Sequence, residues 1–342
     1  MEKRRVCLTG CGGIAGAWMN AAKDFDDVEF VGLCDLERER IDAFADRWEL
    51  TPRSSGDDLA RVIAESGADT VFDCTVPGAH RTVTETALHA GCDVLGEKPM
   101  ATTLAEAQSM VATARETGRT YAVIQNRRYL PSIRRYRDAI RSADIGPLTT
   151  LDVDFYIGAH FGGFRAEMDH VLLVDMAIHT FDQARYLSGE DAEYVYAADW
   201  NPSGSWFSHG ASAVAFFEMT GGVRCTYRGS WCSEGLNTSW EGSWRAVCER
   251  GSIAWDGAAA VNAEREAGGE GLIHDFEPVP VADEEPMAAT GHAGVIRDFL
   301  DALRAGTKPM TDCTDNIRSV AMVLAAVESA DTGRRVKVWR ET

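Results

Sequence analysis

The sequence predicts an α/β protein of two domains: a doubly wound parallel sheet, then a second α/β domain on a mostly antiparallel sheet. Three observations carry this. Short apolar runs alternate with helix-length segments through the first third of the chain. A glycine-rich turn separates the first such run from the first helix. After Gln125 the alternation gives way to successive strand-like stretches joined by short turns. A length of 342 residues exceeds what one core comfortably fills, so two domains are expected, 1–125 and 126–342.

The first domain's strands are read as Val6–Thr9, Glu29–Cys34, Thr70–Cys74, Asp93–Gly96 and Tyr121–Gln125. They are apolar almost throughout, as strands covered on both faces must be. Between them lie helical segments at Ile14–Lys23, Glu37–Trp48, Asp57–Ser66, Ala79–Ala90 and Leu104–Thr117. Strand–helix alternation of this length implies parallel pairing. Farther on, Pro131–Ser142 and Val171–Leu187 read as helices and Leu148–Ile157 as a long strand. Strands follow at Tyr194–Ala198, Ala211–Met219, Val223–Trp231, Trp244–Glu249 and Ser252–Trp255. Their short turns, such as Thr220-Gly221-Gly222, favour antiparallel pairing. The Glu-, Gly- and Pro-rich stretch from Asn262 to Thr290 reads as a surface excursion. Helices at His292–Ala305 and Thr314–Asp331 and a short strand near Val336–Trp339 close the chain.

A net charge of −19 repels phosphate backbones and anionic lipid, so nucleic acid and membrane are excluded as expected partners. No apolar run approaches the length of a membrane span. The apolar start ends at once in glycines and reads as a strand rather than a signal peptide. Nine scattered cysteines, with no C-x-x-C pair, suit a reduced cytoplasmic protein and give no metal-ligand spacing.

The turn Gly10-Cys11-Gly12-Gly13-Ile14-Ala15-Gly16 follows a strand and opens a helix. Gly10 allows the tight turn, Gly12 and Gly13 let backbone approach a pyrophosphate, and Ala15 and Gly16 permit close helix packing. The amides and helix dipole then hold phosphate. Asp35 ends the second strand, where an acid meets the adenosine ribose and disfavours a 2′-phosphate, so NAD is expected, with NADP possible. Arg38 nearby either stacks on adenine or meets such a phosphate.

Lys98 stands in Gly96-Glu97-Lys98-Pro99, after the fourth of these strands. It is the only lysine between Lys23 and Lys308 in a chain that otherwise uses arginine. A partly desolvated ammonium there can lose or share its proton, which arginine cannot, and it can hydrogen-bond a substrate oxygen. The rival reading is a surface lysine. Asp175, His179 and Asp182 recur at i, i+4 and i+7 in an apolar helix and so share a face. A carboxylate-held His is a suitable general base for an alcohol, but an Asp–His pair can equally cap or staple elements.

Taken in order, Gly10–Gly16, Cys74-Thr75-Val76-Pro77 with His80, Glu97-Lys98-Pro99, Gln125-Asn126-Arg127-Arg128-Tyr129 and Asp175-x-x-x-His179-x-x-Asp182 resemble the Gfo/Idh/MocA family. That family includes glucose–fructose oxidoreductase and inositol dehydrogenases. The resemblance implies an N-terminal Rossmann domain and a C-terminal domain whose large open sheet joins subunits into a dimer or tetramer. It implies hydride transfer between nicotinamide and a carbinol carbon of a sugar, polyol or glycoside. Some relatives instead use transient oxidation for elimination or aldose–aldose exchange, and a non-catalytic NAD-sensing protein is the rival from outside enzymes. By the same resemblance Lys98, His179 and Asp175 are catalytic. Gly10, Gly12, Gly13, Ile14, Asp35, Arg38, Thr75, Pro77, His80, Glu97 and Lys98 face cofactor. Arg127 and His160, with Lys98, Asp175 and His179, face substrate. No metal is implied. Met168-Asp169-His170-Val171 replaces the glycine-rich run common in the family, so Asp169 and His170 are either specificity groups or a helix cap and its neighbour. The indoles from Trp231 to Trp244 suit sugar stacking, a subunit interface or a sheet core.

Overall fold

The computed structural model describes residues 3–142 and 144–341. The chain forms two compact units, residues 1–126 with 288–320, and residues 127–287 with 321–342. Among the described residues, no helix is long and apolar enough to cross a membrane.

In the first unit, β1 (Arg4–Thr9), β2 (Val28–Cys34), β3 (Ser54–Gly56), β4 (Thr70–Asp73), β5 (Asp93–Gly96) and β6 (Tyr121–Val123) form one parallel sheet, ordered β3-β2-β1-β4-β5-β6. The order reverses beside β1, which places the ligand crevice of a doubly wound sheet at the carboxyl ends of β1 and β4. Val6, Cys7, Leu8, Val71, Phe72, Val94 and Leu95 are fully buried, as their apolar runs require. Helices α1 (Gly13–Ala22), α2 (Arg38–Trp48), α3 (Leu59–Ser66), α4 (His80–His89) and α5 (Leu104–Thr117) connect the strands. Helix α5 starts on a capping box, in which the Thr103 side chain accepts from Glu106 N–H and the Glu106 carboxylate returns to Thr103 N–H. Such a cap stabilises a helix by about 1 kcal/mol.

The second unit holds α6 (Pro131–Ile140) and α7 (Ala177–Ser188) beside β7 (Leu148–Tyr156), β8 (Ala192–Trp200), β9 (Ser212–Met219), β10 (Arg224–Ser230), β11 (Ser243–Cys248), β12 (Gly251–Trp255), β13 (Val261–Gly268), β14 (Asp275–Val279) and β15 (Val336–Lys337). These pair in the order β14-β13-β12-β11-β7-β10-β9-β8-β15. All neighbours are antiparallel except β10 and β7.

Four differences from the sequence reading have physical causes. Strand β3 is missed because it is three residues at a sheet edge beside Pro52. The supposed excursion after Asn262 contains β13 and β14. Val261 and Ala263 face inward while Asn262 and Glu264 face water, and β14 is exposed except at Val279, so an edge position permits a polar sequence. Helix α8 (Gly291–Ala305) and the start of α9 (Cys313–Thr332) return to the first unit, where Arg297 and Arg304 both pair with Asp27. Lastly, the helix expected over Val171–Leu187 begins as a π-helical turn, Leu172–Met176, before α7. Its start is displaced because His170 adopts φ 48° and Leu172 N–H donates outside the helix to Gly210 O at 3.4 Å.

Candidate active site

Gly10 turns β1 into α1 at φ 82°, and a β-carbon there would lie 2.7 Å from Cys74 backbone. Only glycine fits this approach. Gly12 and Gly13 differ, since a β-carbon on either would meet nothing within 4 Å. Their bareness serves no contact of the protein itself. The α1 N-terminus has no side-chain cap and no acidic residue in its first turn, and Ile14 is 40% exposed beside it. An open backbone cradle at an uncapped helix N-terminus fits a dinucleotide pyrophosphate. The Asp35 carboxylate is held at the rim, accepting from Cys11 N–H at 2.7 Å and Glu37 N–H at 3.0 Å. Arg38 lies on the exposed side, paired with Asp42 at 2.9 Å and Ser55 at 3.2 Å. Burial pushes the Cys11 thiol up to about 12, with Asp35 and then Cys34 adding, so the loop carries no thiolate nucleophile.

We expect Gly12→Val to leave unit stability unchanged and to raise the Kd for NAD at least about tenfold by blocking that approach. Calorimetric titration checks this, and unchanged affinity would remove the cradle from the site.

The carboxyl ends of β4 and β5 bring five expected residues together. Thr75 donates its N–H and hydroxyl to Asp73 Oδ1, at 3.0 and 2.6 Å. Pro77 starts a short turn that leads into α4. His80 is buried, its Nδ1 2.9 Å from Pro99 O and its Nε2 3.1 Å from Thr75 O, so it ties the two strand ends together. Glu97 is buried and accepts from Trp18 Nε1 at 2.7 Å and Lys98 N–H at 3.1 Å. Lys98 follows on the same strand end, its peptide to Pro99 cis. Sequence reasoning missed Trp18 and also His292 on α8. The His292 ring sits 3.4 Å from Asn126 Nδ2. Burial holds it below the usual imidazole range, with Glu97 opposing and Lys98 reinforcing. No local motif marks His292, because α8 reaches this site through the fold.

In the second unit Asp175 lies on the π-helical turn and His179 in the first turn of α7. Asp175 is buried and His179 half-buried. Asp175 pairs with Arg165, which donates Nε to Oδ2 at 2.5 Å and Nη2 to Oδ1 at 3.4 Å. Sequence reasoning also missed Arg165, whose loop shows no periodicity. Asp182, the third member of the motif, forms a buried two-pronged pair with Arg128, at 2.7 and 2.6 Å.

The two other residues expected to face substrate lie in the same unit as Asp175, each with protein partners. Arg127 is buried and donates to the Trp240 carbonyl and to Glu241, at 3.1 Å for the latter, with Met176 Sδ 3.9 Å away. Desolvation lowers its guanidinium to about 10, with Glu241 opposing. It holds the Trp240 loop. His160 is exposed, stacked on Trp206 at 3.6 Å and paired with Glu234 at 2.7 Å. Asp169 faces His209 at 3.4 Å rather than capping a helix, while His170 lies between Asp199 at 2.8 Å and Asp331 at 3.3 Å. Trp231 and Trp244 are core residues, whereas Trp240 is 45% exposed.

Comparison with known proteins supplies the remaining findings. Residues 4–125 match the oxidoreductase family with an NAD-binding Rossmann fold, and residues 133–254 match the GFO/IDH/MocA C-terminal domain. A D-apiose dehydrogenase of Paraburkholderia graminis is 28% identical over 354 residues, covering 99% of this chain and 90% of that one. A 1,5-anhydro-D-fructose reductase of Ensifer adhaerens is 25% identical over 338 residues, covering 97% of each. The crystal structure of an oxidoreductase from Agrobacterium radiobacter, in complex with NAD+, L-tartaric acid and magnesium, superposes with a TM-score of 0.85 at 22% identity, covering 98% of each chain. The six-stranded parallel sheet, the open glycine cradle with Asp35, and the match of both domains together show that this chain belongs to the Gfo/Idh/MocA family of NAD-binding oxidoreductases.

Proposed function

We propose that this oxidoreductase moves a hydride between nicotinamide and a carbinol carbon of a sugar, polyol or glycoside. The observation that supports this best is the position of Lys98. It stands at the carboxyl end of β5, on the same sheet end as the open Gly12–Gly13 cradle. Relatives named as sugar dehydrogenase and reductase support the substrate class.

NAD, when bound through Gly10–Ile14 and Asp35, supplies the hydride acceptor. His179 takes the proton from the substrate hydroxyl as general base. Lys98 donates a hydrogen bond from Nζ to that oxygen as it becomes a carbonyl, stabilising the charge that develops there. Asp175 binds a neighbouring substrate group. His80 and Glu97 position Lys98 and Thr75 by fixing both strand ends. The test is an initial-rate screen of sugars, polyols and glycosides with NAD. Substrate-dependent NADH is the expected result. Its absence across the screen overturns the reading.

A second part of the proposal concerns assembly. Tyr196 on β8 lies opposite Phe216 on β9, with Val214 and Trp200 exposed on the same two strands. Contiguous apolar surface of this kind is usually covered. It supports a homo-oligomer joined through this sheet face. Phe216→Glu is expected to reduce the sedimenting mass to that of a monomer, and an unchanged mass would place the interface elsewhere. The unpaired thiols support a reducing compartment such as the cytoplasm.

A further inference from the structure

The loop between β7 and the π-helical turn presents an aromatic strip beside Asp175. Phe161 is 49% exposed and Phe164 57% exposed. The Arg165 guanidinium lies 5.4 Å from the first ring and 4.6 Å from the second. Phe161 continues to Trp240 at 6.2 Å and is backed by buried Trp231 at 5.2 Å. The Trp240 carbonyl is gripped by buried Arg127, which fixes this end of the strip. All these residues belong to the second unit.

Partly exposed aromatic rings beside a paired guanidinium and carboxylate have a specific chemistry. The faces match the C–H surface of a sugar ring. Arg165 offers N–H donors to hydroxyl oxygens and Asp175 offers acceptors for hydroxyl protons within one pair. The charge of that pair is balanced. The neighbouring Arg127 is balanced as well, by Glu241. A carboxylate entering here would meet no surplus positive charge, and the whole chain carries −19.

We propose that Phe161, Phe164 and Trp240 form a ring-stacking subsite, in which Arg165 and Asp175 read hydroxyls of a neutral cyclic sugar. The aromatic strip thereby sets specificity for ring over open chain, and the charge-balanced Arg165–Asp175 pair for neutral over anionic substrate. This rests on the reading of Asp175 as a substrate group.

The test measures kcat/KM with NAD for a panel of aldoses and their methyl glycosides, with the matching alditols and uronates, on wild type, Trp240→Ala and Arg165→Gln. The best cyclic compound is expected to exceed its alditol and its uronate at least tenfold. Trp240→Ala should raise its KM about tenfold with kcat nearly unchanged. Arg165→Gln should lower kcat/KM for the cyclic compound and sharpen its preference over the uronate, because Asp175 loses its balancing charge; both variants should still unfold in one cooperative transition, Arg165→Gln at a lower midpoint. An alditol or uronate as best substrate overturns the subsite and leaves the oxidoreductase reading standing. So does a KM and preference that neither variant moves. No turnover of any compound overturns both.

Discussion

Lys98→Ala is expected to retain NAD binding and lose about 10²–10⁴-fold in kcat, the usual range for a positioned proton donor or acceptor. The cradle at Gly12 and Gly13 and the Asp35 rim do not depend on its side chain, so cofactor affinity should change far less than turnover. Lys98→Arg is the sharper variant. It keeps the charge and the N–H donors, but a planar guanidinium presents them in a fixed fork rather than from the compact ammonium whose Nζ reaches the oxygen. We therefore expect it to be nearly as inactive as the alanine form. Steady-state kinetics with calorimetric NAD titration on both variants separates the roles. Near-normal turnover in Lys98→Arg would reduce Lys98 to a source of positive charge.

Asp182→Ala is expected to have the largest effect on stability. The Arg128 and Asp182 side chains are only 6% and 2% exposed, and removing the carboxylate takes a two-pronged charged partner from a buried guanidinium. Breaking one partner of such a pair costs about 3–5 kcal/mol. Replacing both, as in Arg128→Met with Asp182→Leu, should recover most of that loss, because two apolar side chains carry no desolvation penalty. Denaturant unfolding of the single and double variants measures the difference. A single-variant loss below about 1 kcal/mol, typical of exposed pairs, would show that water reaches the site. The consequence reaches chemistry as well, since Asp182 lies on the helix that carries His179.

Much of the first unit was legible because its physics is local. Val6–Leu8, Val71–Phe72 and Val94–Leu95 are buried on both faces, and burial on both faces writes an unbroken apolar run. The glycine cradle was legible for the same reason, since Gly10 meets a backbone and Gly12 an open approach. Strands β13 and β14 were hidden because one solvated face at a sheet edge asks for polar residues. The return of α8 was hidden because Asp27, Arg297 and Arg304 are brought together only by the fold.

At the site, residue type was easier to read than residue role. Lys98, Asp175 and His179 stood out against an arginine-rich chain and an apolar helix. The π-helical turn beneath Asp175 did not, because apolar residues satisfy either helical period. Arg127, expected to face substrate, is buried against the Trp240 carbonyl. Arg165, unmarked in sequence, is the cation that meets Asp175. Both outcomes depend on where loops close.

The most direct test of the central claim follows the hydrogen itself. Wild-type protein is supplied with NAD and the best sugar from the rate screen, deuterated at the carbinol carbon, beside Lys98→Ala as control. The account predicts deuterium at nicotinamide C4 in the NADH formed by wild type, and almost none with the variant. NADH carrying no deuterium, or equal label from both proteins, would contradict it.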